Sequence, residues 1–248
     1  MRAVQRGPLT GLAAALALLA ALAATVGLPP SGWAAGVVAA AVLTLTLHLG
    51  LVHAGARHLG PADRITLTRA TLVCAVAALV VDPGTAGEVT PTVVTLASIA
   101  LVLDGVDGWV ARHTGTASGL GARFDMEVDA FLILVLSVAA SRSWGAWVLL
   151  IGAARYALGA AGILLPWLCE PVPFRYWRKV VAAIQGIVLT VAVAEVVPRP
   201  VTLVALVVAL ALLTESFGRD VWWLLRVHRT AGRTEPQPLP ATAGERRP

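Results

Sequence analysis

Charge is scarce in this chain. Only 13% of its 248 residues are charged, 58% are hydrophobic, and the mean hydropathy is +0.80. Soluble domains average about 25% charged, so this composition excludes a soluble domain and defines a polytopic membrane protein. Lysine is nearly missing. Lys179 is the only one, and arginine supplies the other basic residues. The net charge of +5 does not indicate nucleic acid, because the basic excess sits at the edges of apolar runs, where it orients membrane helices. Cysteine is limited to Cys74 and Cys169. Both lie in or beside apolar stretches, which excludes a cysteine metal motif and gives no reason to expect a disulfide.

What is there is a series of apolar runs, at 9–28, 33–52, 66–82, 91–111, 122–141, 145–165, 180–197 and 200–216. Each approaches the ~20 residues that cross a hydrocarbon layer. Pro29-Pro30, Asp82-Pro83-Gly84 and Pro198-Arg199-Pro200 punctuate them. The expected fold is all-α, a polytopic bundle with an N-terminal two-helix hairpin over 1–60. Arg2 and Arg6 ahead of the first run also fit a signal peptide; the long run and the second span close behind it favour the hairpin. With the N-terminus inside, the inner segments hold Arg57, Arg64, Arg112, Arg123, Arg175, Arg178 and Lys179, while the outer links hold only Arg142 and Arg199. That is a positive-inside pattern for a multi-pass protein of the cell membrane. Residues 219–248, rich in Arg, Pro, Thr and Glu, read as a basic, disordered cytoplasmic tail.

Four of the seven aspartates fall between Asp104 and Asp129, inside this apolar surrounding. Intramembrane carboxylates mark functional sites. Asp104 and Asp107 share one helix face, and Asp125 and Asp129 share a face of the next helix. Like charges ~4 Å apart cost roughly 4 kcal/mol at an effective dielectric of ~20, so a positive charge is expected among them. An all-oxygen pocket suits a hard divalent cation. Arg112, beside the pairs, suits a phosphate. Gly108 and Ala111 remove bulk where a ligand could approach. Glu127 points about 200° away from Asp125 on the helix and is not expected as a ligand.

The pattern D-x2-D-G-x2-A-R-x8-G-x3-D-x3-D is complete from Asp104 to Asp129. It resembles the signature of the CDP-alcohol phosphatidyltransferase family. The resemblance implies a six-helix catalytic core over 61–218 that takes CDP-diacylglycerol, passes its phosphatidyl group to an alcohol, and releases CMP on the cytoplasmic side. It implies Mg2+ or Mn2+ held by Asp104, Asp107, Asp125 and Asp129, with Asp129 as general base. Asp63, Thr66, Gly108, Ala111, Arg112, Ser118 and Gly121 would hold the nucleotide. Thr66 and Arg69 fit the family's Asn-x-x-Thr-x-x-Arg stretch, while Asp63 departs from its asparagine and also suits a helix N-cap. Arg175, Arg178 and Lys179 match a region that binds a phosphorylated acceptor, although Trp177 and Val181 depart from the more basic form of that motif. Gln185 keeps the family's spacing from Lys179. Arg155, deep in its span, is expected either to join the acceptor site or to pair with Glu127, Asp129 or a carbonyl. The acceptor is thus a polyol phosphate or another alcohol. Other expected partners are membrane lipid and, as for many members of the family, a second copy of the chain. Two alternatives remain: a cation transporter using the acidic cluster, and a catalytically silent relative.

Overall fold

The computed structural model describes residues 6–55, 60–82, 86–114, 118–170, 172–173 and 175–231. Among them the order is α1 (Arg6–Thr25), α2 (Pro30–Ala54), α3 (Pro61–Val80), α4 (Ala86–Thr114), α5 (Gly119–Trp144), α6 (Leu149–Leu164), α7 (Tyr176–Ala194) and α8 (Arg199–Ala231). Short 3-10 turns at Ala146–Val148 and Pro166–Cys169 flank α6. The described regular structure is all helical, as the sequence predicts.

Local chemistry sets the ends. Pro30 and Pro61 occupy first turns, where a missing N–H costs nothing. Gly55 closes α2 in the left-handed conformation, with φ 60°. Ser118 caps α5, its Oγ accepting the Gly121 N–H at 2.8 Å. The expected N-cap at Asp63 is corrected: Gly60 takes that position, and Asp63 stands at N3, its Oδ2 accepting the Gly60 N–H at 2.8 Å. Pro61, pre-set for a first helical position, moves the start of the helix upstream.

α1, α2, α4, α7, α8 and the segment Ala146–Leu164 are long and apolar enough to cross a membrane, and the protein is multi-pass. α3 and α5, also expected as spans, are not among these six. α3 carries Asp63, Arg64 and Arg69; α5 carries Asp125, Glu127 and Asp129. The bundle encloses α3 instead: fourteen of its residues are buried, and it packs against α1, α2, α4 and α5. Exposed apolar surface lies elsewhere, as at Val38, Ile163 and Val204. Small buried residues, Ala70 and Ala75 on α3 and Ala97 and Ala100 on α4, let the helix backbones approach closely.

α8 corrects the expected boundary at 218. It continues to Ala231 through a stretch predicted to be disordered. Its 33 residues span about 50 Å, beyond the ~30 Å of hydrocarbon. Contacts hold the overhang: Trp177 Nε1 donates to Glu215 Oε2 at 3.1 Å, Arg178 pairs with buried Asp220 at 3.3 Å, and Trp167 stacks on His228. Residues 232–248 of the expected tail lie outside the described residues.

Candidate active site

Three helices build the site. The helical spacing on α4 puts Asp104 and Asp107 on one face, and that on α5 does the same for Asp125 and Asp129. From α3, between them, comes Arg69, fully buried at 0% exposure. Its Nη1 lies 3.0 Å from Asp104 Oδ1 and 2.9 Å from Asp107 Oδ2, and also meets Asp125 Oδ1. Its Nη2 pairs with Asp129 Oδ1. Its Nε donates to the Ala100 carbonyl at 3.1 Å. Thr66, one turn before Arg69 on α3, donates its hydroxyl to Asp107 Oδ2 at 3.1 Å.

One guanidinium against four carboxylates leaves three negative charges when all are ionised. Charge taken out of water without a partner is costly, so the cluster favours a further cation. One ligand oxygen from each of Asp104, Asp107 and Asp125 falls in a group whose members lie within 4.8 Å of one another. A hard-oxygen trio of this kind fits a divalent ion of the magnesium type. Asp129 adjoins the trio through the other nitrogen of Arg69.

The remaining expected nucleotide residues divide by location. Asp63, Ser118 and Gly121 meet where α3 and α5 begin. A Cβ on Gly121 would run into Asp63 Oδ1 and lie 3.0 Å from Ser118 Oγ, so the close approach requires glycine. Asp63 is buried. Gly108 follows Asp107 on α4 and is half-buried. Ala111 and Arg112 continue α4, but their side chains lie outside the described residues.

The expected acceptor residues do not converge as the aspartates do. Arg155 pairs with Glu127 at 3.3 Å, the bland one of its two expected roles. Gly152 permits this, since a Cβ there would lie 2.6 Å from Leu134 Cα, and α6 therefore packs closely on α5. Arg178 pairs with Asp220. Arg175 stands at the N-cap of α7 and Lys179 is exposed; neither has a carboxylate partner among the described residues. Gln185 is buried, and its Nε2 donates to the Ala209 carbonyl at 2.8 Å, tying α7 to α8.

Arg69, at the centre of the four carboxylates, is the residue that the expected site omitted. The signal was available: four carboxylates demanded a cation, and Thr66 and Arg69 share a helix face at i, i+3.

The helical membrane bundle converges carboxylates from two helices on a geometry that could hold a divalent ion. The family model of CDP-alcohol phosphatidyltransferase matches residues 59–214, a span containing every aspartate of the cluster, and the chain belongs to that family of transferases. Searches among curated proteins and among solved structures gave no match.

Proposed function

We propose that the protein transfers the phosphatidyl group of CDP-diacylglycerol to an alcohol that itself carries a phosphate, with release of CMP. One observation carries the reading: in a chain of this family, ligand oxygens of Asp104, Asp107 and Asp125 gather within 4.8 Å. A magnesium or manganese ion bound there supplies charge neutralisation for the diphosphate and for departing CMP.

The chain's own residues have separate tasks. Thr66 fixes Asp107 by its hydroxyl. Asp63, Ser118 and Gly121, together with Gly108, Ala111 and Arg112, bind and orient the nucleotide; the close approach of the first three supports this grouping. Asp129 accepts the proton of the acceptor hydroxyl, a general-base role suited to a carboxylate adjoining the trio. Among the described residues no serine, cysteine or histidine hydrogen-bonds to the cluster, which favours direct in-line attack over a covalent intermediate. Arg175 and Lys179, free of carboxylate partners among the described residues, support a phosphorylated acceptor. The arginine distribution supports a site open to the cytoplasm. A cation-transport role is disfavoured by Arg69, which puts a fixed positive charge at the centre of any such path.

The test is CMP release from purified protein given CDP-diacylglycerol, with and without magnesium or manganese, across a panel of alcohols. CMP is expected only with ion and acceptor present, and fastest with a polyol phosphate. Absence of CMP with every acceptor, together with manganese flux into liposomes free of CDP-lipid, would replace this reading with transport.

A further inference from the structure

Arg69 has no task in the reaction described above, yet every nitrogen of its guanidinium is committed. Nε is anchored on the α4 backbone at the Ala100 carbonyl, 3.1 Å away. Nη1 serves Asp104, Asp107 and Asp125. Nη2 serves Asp129. The side chain is fully buried, so it cannot leave without breaking the Ala100 contact. A guanidinium is a planar fork with fixed bond directions. Its two terminal nitrogens therefore impose a spatial division on whatever binds them, and here that division matches the grouping of the oxygens. The three residues whose ligand oxygens lie within 4.8 Å of one another are the three that Nη1 contacts.

We propose that Arg69 is a positioning residue that sorts the four carboxylates into two functions. One prong contacts Asp104, Asp107 and Asp125, the trio left to the cation, which a bound ion can gather by itself. The other holds Asp129 to the side, oriented to receive the acceptor's proton. The proposal rests on the metal-assisted transfer reading given above.

Charge and geometry separate here. Lysine supplies a positive charge but only as a single point on a shorter reach, so it cannot hold Ala100 and both carboxylate groups at once. Methionine removes the charge and makes the site more negative, which strengthens its attraction for a divalent cation. A sorting role therefore predicts an unusual split: ion binding survives while turnover falls. Simple collapse of the site would lose both. Simple charge balance would be restored by lysine.

The experiment uses the full chain in detergent, as parent, Arg69→Lys and Arg69→Met. Mn2+ binding is read from the electron paramagnetic resonance signal of the free ion, and kcat from CMP release. Arg69→Lys is expected to bind Mn2+ at least as tightly as the parent and to lose turnover roughly a hundredfold, the scale of a small misplacement of reacting groups. Arg69→Met, where it folds, is expected to bind the ion at least as tightly and to be slower still; weakened Mn2+ binding in a folded Arg69→Met would contradict the sorting role. Parent-like turnover in Arg69→Lys would overturn the proposal, because charge alone would suffice. Joint loss of Mn2+ binding and turnover in Arg69→Lys would also overturn it, leaving Arg69 a purely structural residue. Failure of the parent to bind Mn2+ is a different result, which removes the metal-centre reading itself and the proposal with it.

Discussion

The two charged regions of the molecule follow opposite plans. Where α3, α4 and α5 meet, four carboxylates share one guanidinium. Along α6, α7 and α8 three cations each meet a single carboxylate, Arg155 with Glu127, Arg178 with Asp220 and Arg219 with Glu215. Sharing leaves a net charge that recruits a ligand, whereas one-to-one pairing leaves near neutrality and ties helices together. Exposure follows the same division. The Arg69 side chain is 0% exposed, while those of Arg155 and Arg178 are 41% and 38% exposed. Exposed pairs contribute about 0–1 kcal/mol, whereas stripping one partner from a buried pair costs about 3–5 kcal/mol.

Substitutions in the shared cluster should therefore matter far more than substitutions in the paired region. Asp129→Asn is expected to have the largest effect. Turnover measured by CMP release should fall by about 10²–10⁴-fold, the range of a lost general base, with metal-dependent CDP binding retained. Turnover at the parent rate in that variant would remove Asp129 from the proton transfer. Asp107→Ala comes next, since this carboxylate is held by both Thr66 and Arg69. It should lose about 10²–10³-fold in turnover, as for a preorganised electrostatic contact, and should also lose metal-dependent CDP binding.

Thr66→Val tests one hydrogen bond within the cluster. Its apparent affinity for the divalent ion, read from the metal dependence of CMP release, should drop about 10–100-fold; an unchanged metal dependence would make Thr66 a packing residue. The smallest effect is expected in the paired region. Asp220→Asn frees Arg178 and should lower the KM for a phosphorylated acceptor by up to about fivefold, the scale of an ion pair with an exposed partner, with kcat unchanged. A raised KM would mean instead that Asp220 orients Arg178 for the acceptor, and the contrast between the regions would weaken.

Much of this contrast was legible in the chain. The helices carrying the four aspartates follow from apolar runs, and the pairing of Asp104 with Asp107 and of Asp125 with Asp129 follows from helical periodicity. The identity of their shared cation did not follow. Sequence reasoning asked for a positive charge and answered with a divalent cation, leaving Arg112 to a phosphate, whereas Arg69 arrives from α3 through close packing against α4. Spacing along one helix encodes a face but not which helix lies against it. The same limit hid the partners of Arg178 and left Glu127 as only one option for Arg155. Hydropathy also ended α8 too early: Arg219 and Asp220 read as the start of a tail, although the contact of Asp220 with Arg178 holds them in a continuing helix. Hydropathy reports immersion in lipid, not helicity. Asp63 was misplaced by three residues as a cap because Pro61 sets the first turn.

The most direct measurement is calorimetric titration of CDP into the purified protein, once with magnesium and once with a chelator. CDP should bind only in the presence of the ion, and that binding should vanish in Asp104→Ala. Equal affinity with the chelator present would contradict a site organised by aspartates that share a divalent cation.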